Sequence, residues 1–402
     1  MNKKKVFLWS LFDFANSIVF INFLIYFSQW LVIDGGLSDF WYNAIFAIAT
    51  LFLFFTAPIL AAYTDKHGGR KYFLNIATIF TALSYGLAAL LAILGSSIFS
   101  IAIFFLLSQY FYQLSFVFFN PMIDELSDIQ HRARTSGIGQ FSNAFGQIVG
   151  LAIMLPLAGN RLAPLLPSVG IFIVLALPMM IFYKESNPFN SKAIVSKIKT
   201  ETVLYKKSIV SFFAFSISTP LLFAFFFYND ALVTVSNNYS IYIQRVFDAP
   251  DTTKSLLMMG IVLMNALGAI FAGWIGDRIG ILKTLKFSLI GWLVALPIMA
   301  FAPSITVFGG ATIFLGLLIG SMWATSRAYM STLLTNENMG YGFSFYTLLE
   351  RFSTFVGPLS WGGIISLVGT GIISYRIAML SMAVFVLIGL LILSFWKRNP
   401  KF

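Results

Sequence analysis

Long apolar runs dominate this chain, and they hold so few charges that a water-soluble fold is excluded. Twelve stretches each carry the roughly 20 mostly apolar residues that a helix needs to cross a bilayer. They fall at about 7–32, 41–63, 72–95, 98–122, 137–158, 165–183, 211–241, 253–275, 283–302, 304–328, 342–367 and 372–396. Short polar turns with Gly, Pro or Asn separate most of them. Only 10% of the residues are charged and 58% are hydrophobic. A soluble domain carries roughly 25% charged residues, so this chain lacks the polar side chains to cover itself in water. The expected fold class is all-α integral membrane, with twelve transmembrane helices.

Two of the turns match each other at half the chain length. The first runs Ala61-Ala62-Tyr63-Thr64-Asp65-Lys66-His67-Gly68-Gly69-Arg70-Lys71. The second runs Gly273-Trp274-Ile275-Gly276-Asp277-Arg278-Ile279-Gly280-Ile281-Leu282-Lys283. Both place a small residue four before an Asp, a base right after it and a Gly three after it. Such a repeat marks a duplicated membrane protein, the construction many transporters use to make two halves that rock. The longest polar stretch, 184–208, lies between the sixth and seventh spans. The expected division is an N-terminal six-helix bundle at 1–184, a cytoplasmic linker at 185–208 and a C-terminal six-helix bundle at 209–402.

The net charge of +11 would point to nucleic acid in a soluble protein. Here no nucleic-acid partner is expected, because the bases sort by loop. With the N-terminus inside, 20 of the 26 Lys and Arg residues fall on the cytoplasmic side. That is the positive-inside pattern, and an even helix count then puts both termini in the cytoplasm. Lys3, Lys4 and Lys5 precede an apolar run as in a signal peptide. The run exceeds 20 residues, holds Asp13 and Asn16, and shows no small-residue cleavage site, so it reads as an uncleaved first span. The expected location is a cell (inner) membrane. Cysteine is absent, which removes disulfides, thiolate metal sites and cysteine nucleophiles.

Twelve spans, a basic central loop and paired D-(R/K)-x-G turns resemble the major facilitator superfamily. Ala61, where the family usually has Gly, and Gly69, where it often has a base, depart from the pattern. A narrower resemblance, to the vacuole-effluxer-like (autophagy-related amino-acid effluxer) branch, rests on five segments. These are Asp13-Phe14-Ala15-Asn16-Ser17, Ser136-Gly137-Ile138-Gly139, Tyr228-Asn229-Asp230, Ser326-Arg327 and Gly357-Pro358. The resemblance covers both halves. It implies the major facilitator fold of two pseudo-symmetric six-helix bundles, transport by alternating access, and amino-acid efflux.

Ionisable groups inside spans are the residues most worth following, since each costs roughly 2.5–3.5 kcal/mol at mid-helix unless it is paired or wet. Asp13 with Asn16, and Asp230 with Asn229, sit in the first helix of each half. A buried carboxylate there can take up a proton or hold a substrate amine; equally, it can fix helix packing through a hydrogen bond. Arg327 ends the tenth span and Glu350 and Arg351 lie in the eleventh. An Arg327–Glu350 ion pair is one reading and a substrate carboxylate anchored on Arg327 is the other. In the fourth span Gln109, Gln113 and Asn120 share one helix face and read as a pathway lining. In the fifth, Gln140, Asn143 and Gln147 share a face, and four nearby glycines favour tight packing there.

The turn residues Asp65, Lys66, Gly68, Arg70, Gly273, Asp277, Arg278 and Gly280 are expected at the cytoplasmic face. A carboxylate there can accept from the N-terminus of a neighbouring helix. The resemblance implies that such contacts hold an outward-open state and break on switching; plain topology is the alternative reading. His67 and His131 have no partner at ligand spacing, and no Gly-rich phosphate loop is present, so neither metal nor cofactor nor nucleotide-driven pumping is expected. No paired carboxylates or activated nucleophile argue for an enzyme. The expected function is a secondary or facilitative transporter of a small solute, with protons as a candidate coupling ion and the lipid bilayer as its surroundings. One polypeptide supplies both halves, so a monomer suffices. A lipid or lysolipid transporter, or a non-transporting membrane sensor on the same fold, is the alternative.

Overall fold

The computed structural model describes residues 3–126, 132–186, 188, 218–334, 346–347 and 349–395. Every regular element among them is helical. The helices are α1 (Lys3–Asn22), α2 (Asp39–His67), α3 (Arg70–Ile93), α4 (Ile98–Phe119), α5 (Ile123–Leu126), α6 (Arg132–Met154) and α7 (Leu165–Phe182). They continue as α8 (Thr219–Phe247), α9 (Asp251–Ile279), α10 (Ile281–Phe301), α11 (Ile305–Leu333), α12 (Val356–Val368) and α13 (Ile372–Phe395). Among the described residues, eleven helices are long and apolar enough to cross a membrane. The first of them runs past α1 through two π-helical turns to Asp34. Between those wider turns the side chains of Ser28 and Gln29 donate to the carbonyls of Leu24 and Ile25 at 2.5 and 2.7 Å.

The span expected at 342–367 is not one helix in its described part. Residues 349–352 are helical, the chain turns at 353–355, and α12 starts at Val356. Pro358 supplies the reason. It has no N–H and its ring clashes with the carbonyl four residues back, so it fits the first turn of a new helix and not the middle of an old one. The seventh span, expected at 211–241, has its described helix at Thr219–Phe247, with Pro220 in the first turn. Most of the linker expected at 185–208 lies outside the described residues.

The chain forms two compact units. One holds Met1–Gly36 and Ile48–Ile209; the other holds Leu37–Ala47 and Val210–Phe402. Residues 37–47, which a division at the linker leaves in the first half, therefore belong with the second unit. Within the first unit α1 lies against α6 and α7. Gly146 and Gly150 make this possible: a Cβ at either would stand 3.0 Å from a backbone Cα of α1, of Phe14 or Ile18. Within the second unit α9 and α11 close in the same way, where a Cβ at Gly316 would stand 3.0 Å from Ile261 Cα. Small residues let spanning helices approach where lipid offers no hydrophobic drive to associate.

Central and peripheral helices differ in what they expose. The apolar window of α1 is 83% buried and that of α8 is 67% buried, against 22% for α9. Phe52, Phe55, Phe287 and Phe301 are exposed on the flanking helices, the surface a bilayer covers. The two most enclosed helices are those that carry the mid-span carboxylates.

Candidate functional site

In the first unit, Asp13 on α1 accepts a hydrogen bond from Asn143 Nδ2 at 3.0 Å. Gln147 Nε2 donates to Asn143 Oδ1 at 2.8 Å, so α6 holds a two-amide relay that ends on the carboxylate. One helical turn on, Asn16 is buried and its Nδ2 has no acceptor among the described residues. Gln109 donates to the Tyr85 hydroxyl at 3.0 Å, Gln113 is buried one turn further, and Asn120 opens a short 3-10 turn after α4. The α6 stripe was legible as a stripe; its meeting with Asp13 was not. It needs the α1–α6 contact that the glycines permit.

In the second unit, Asn229 and Asp230 lie on α8, with Asp230 about 16 Å from its start at 1.5 Å per residue. That places both well inside the length of α8. Neighbouring residues on a helix point about 100° apart, and here the two side chains reach opposite ends of the helix break. Asp230, fully buried, accepts the N–H of Gly357 at 2.7 Å, and the N–H groups of Val356 and Phe355 face it too. Asn229 Nδ2 donates to the carbonyl of Glu350 at 3.3 Å. A broken helix leaves carbonyls without donors on one side and amides without acceptors on the other. The Asn229–Asp230 pair answers both. Gly357 is required by the closeness of this contact, because a Cβ there would lie 2.9 Å from Asp230 Oδ1.

The same neighbourhood holds the charges expected on the tenth and eleventh spans. Arg327 and Glu350 stand 3.8 Å apart as a stretched, half-exposed ion pair. Trp323 Nε1 donates to Asn229 Oδ1 at 3.0 Å, and the Tyr228 and Ser326 hydroxyls share a hydrogen bond of 2.7 Å. Trp323 and Ser326 precede Arg327 by four residues and one residue on α11. Sequence spacing could have put Trp323 on the Arg327 face; nothing in it pointed to Asn229.

The two repeated turns are built differently. In the first, Gly68 and Gly69 take left-handed backbone with φ of 74° and 87°, and Arg70 folds back to Asp65 at 2.6 Å. Arg70 also donates to the Pro121 carbonyl at 3.2 Å. Asp65 does not serve the N-terminus of α3. That position is taken by Glu185, whose carboxylate accepts the Lys71 N–H at 3.2 Å. Burial pushes the Glu185 carboxyl above its usual value, while the backbone N–H groups around it pull the other way. Nearby, Lys5 pairs with Glu125 at 3.8 Å, and Glu125 accepts the Ser186 N–H at 3.0 Å. Lys66 is exposed. In the second turn a single Gly280 with φ of 97° separates α9 from α10. Gly273, Asp277 and Arg278 are exposed there, and neither charge makes an ion pair among the described residues. Among the described residues no group of three or more His, Asp or Glu could hold a metal ion.

Comparison with known proteins adds a family. The model of the Major Facilitator Superfamily matches residues 9–235 and 221–402. An uncharacterized protein of Aquifex aeolicus (strain VF5) is 25% identical over 87% of this chain and 86% of its own length. A protein of Lactococcus lactis subsp. lactis (strain IL1403) named as a homolog of the multi-drug resistance efflux pump PmrA is 22% identical over 92% and 88%. Among solved structures, a bacterial homolog of the human lysosomal transporter Spinster superposes with a TM-score of 0.76, at 12% identity over 97% of this chain and 95% of that one. This last likeness is one of fold.

Proposed function

The chain belongs to the Major Facilitator Superfamily, and on that premise we propose that it carries a small zwitterionic solute of the amino-acid class by alternating access. The observation that carries this reading is the half-exposed Arg327–Glu350 pair beside Asn229 and Trp323. In transporters with broken helices, the N-terminus of a half-helix often meets an anionic substrate group. Here that position at α12 is filled by the protein's own Asp230. Arg327 is then the cation left for a substrate carboxylate, and Glu350 the acceptor for its amine. A pair stretched to 3.8 Å is easily opened by a solute that brings both opposite charges with it.

Asp13 is the proton candidate of this proposal. It is bonded through side-chain amides, which can reorient when the carboxylate changes charge. Export of amino acids follows the branch resemblance. The proposal also takes the two bundles as 1–184 and 209–402 about a cytoplasmic linker, both termini inside, the inner membrane as location and a monomer as the working unit. In it the paired turns, through Asp65, Lys66, Gly68 and Arg70 and through Gly273, Asp277, Arg278 and Gly280, hold one state of the cycle and release in the other. A second reading, drug efflux, is favoured by the name of the Lactococcus relative.

Purified protein screened by thermal shift against amino acids, dipeptides, nucleosides, lysolipids and hydrophobic cations separates these readings. A ligand that binds only the folded state raises its melting temperature by mass action. The expected result is a shift with zwitterionic amino acids that Arg327→Gln removes, followed by uptake of the same solute into liposomes. Shifts confined to hydrophobic cations or lysolipids, or an amino-acid shift indifferent to Arg327→Gln, would overturn the zwitterion reading.

A further inference from the structure

The helix break at residues 353–355 leaves two buried side-chain oxygens of α8 without a partner. Asp230 accepts the Gly357 N–H through Oδ2, and its Oδ1 is buried with no partner among the described residues. One turn on, Thr234 is fully buried and its Oγ1 has no partner among them either. A Ser or Thr within a helix can turn its hydroxyl to a carbonyl one turn back. Ser236, two residues further along α8, does so and donates to Leu232 at 2.9 Å. Thr234 makes no such bond, and its oxygen is aimed at the break instead.

The two oxygens converge there. A Cβ at Gly357 would meet Thr234 Oγ1 first and Asp230 Oδ1 next, the latter at 2.9 Å. Residues four apart lie side by side on a helix, so the pair forms one oxygen-lined patch against the start of α12. Backbone oxygen is close as well. The Gly357 N–H goes to Asp230 and not to the Ser353 carbonyl four residues back, and Pro358 has no N–H to offer the turn before it.

Charge at this place is unbalanced. Asp230 makes no ion pair among the described residues. The N–H groups of Phe355, Val356 and Gly357 face it, yet the end of a helix dipole is worth roughly half an elementary charge, less than a carboxylate carries. An ionised group within a span is costly unless it is paired or wet.

We propose that Asp230 Oδ1 and Thr234 Oγ1 hold a sodium ion at the break, with backbone oxygen in its shell. A hard cation takes oxygen ligands, and calcium recruits more of them, with more charge, than this place supplies. Unwound carbonyls of broken helices serve sodium in this way in transporters. The splint and the ion use different oxygens of one carboxylate. Asn229, beside Asp230, bonds Trp323 and the Glu350 carbonyl, so the ion lies next to the proposed solute site. Its coupling to solute rests on the transport reading; its binding does not.

Thermal unfolding of the full chain in detergent, at constant ionic strength in sodium, potassium or choline chloride, tests the site. Sodium should raise the melting temperature saturably by mass action, and choline should not. Thr234→Val removes one oxygen at nearly the same shape. The sodium concentration giving half the shift should then rise about tenfold or more, the weight of one bond to a charged group. Asp230→Asn should abolish the sodium shift, and Thr234→Val carries the test alone should Asp230→Asn fail to fold. Equal melting temperatures in the three salts, a potassium shift as large as that of sodium, or a sodium shift unchanged in Thr234→Val overturns the site. A shift that follows pH alone also overturns it, because a proton then takes the place of the ion. The measurement needs no solute. A sodium shift in a protein that moves none of the tested solutes removes the transport reading and leaves the site in place.

Discussion

Asp13 and Asp230 look like counterparts: each sits in the first helix of its half, beside an Asn, in a helix more enclosed than its neighbours. Their bonds separate them. Asp13 ends a relay of two side-chain amides from α6. Asp230 holds the backbone N–H of Gly357 at the start of a half-helix. A side-chain relay can turn over when its terminal charge changes. A backbone amide has no other donor to offer, so removing its acceptor breaks the structure around it. Two carboxylates with the same sequence signature therefore have different work, one suited to change and one to permanence.

The strongest way to break this comparison is Asp230→Ala. It leaves buried amides of α12 without an acceptor and should lower stability by about 1.5–3 kcal/mol, the range for a hydrogen bond to a charged group. Thermal unfolding in detergent checks it, and a variant as stable as the wild type would show that Asp230 is not the splint of the break. Asp230→Asn keeps an acceptor oxygen and should fall well short of that loss.

Gly357→Ala tests the same junction from the other side. The methyl would meet Asp230 Oδ1 at 2.9 Å, and overpacking of a filled site costs typically 1–3 kcal/mol. Asp13→Asn should behave in the opposite manner. Folding should change by less than about 1 kcal/mol, because Asn143 can turn its amide to suit a neutral partner. The expected effect is on transport: accumulation driven by a pH gradient is lost and exchange down a solute gradient remains. Equal loss of both in liposomes would place Asp13 with Asp230 as a packing residue.

The turns give the smaller tests. Gly69→Ala must adopt a φ of 87°, which costs roughly 1–2 kcal/mol for a residue with a Cβ. Glu185 gives the smallest effect, and its sign is fixed. Its carboxyl is raised above the usual value of 4.5 by burial. The folded state therefore holds this proton more tightly than the unfolded chain does. The stability it contributes is present below pH 4.5 and is lost as pH rises through the raised value. Glu185→Gln should flatten that stretch of a melting-temperature profile. A profile unchanged by the substitution would remove Glu185 from the account.

The differences between expectation and structure have particular causes. The eleventh span was legible as apolar, yet its break was not. Pro358 was visible, but whether a proline kinks a helix or starts a new one depends on whether something receives the freed backbone groups, and the receivers lie over a hundred residues away on α8. Periodicity made the α4 stripe of Gln109 and Gln113 legible as a shared face, and it does not report what faces it. The Asp65 carboxylate could have met a helix N-terminus. Arg70, five residues on, was near enough in sequence to reach it first. Glu185 took the vacant position from 114 residues away.

The sequence by itself determined that the chain is helical and lives in a membrane, and which residues cannot be idle there. Both follow from local physics. Apolar runs of spanning length must satisfy their backbone within the helix, and a polar side chain among them must find a partner. Tertiary structure alone decided who those partners are. It bonded Asp13 to side chains and Asp230 to backbone, and gave the start of α2 to the second unit. A hydrogen bond depends on distances of a few tenths of an ångström, and helix approach at Gly146 and Gly357 sets those distances, which no periodicity along the chain records.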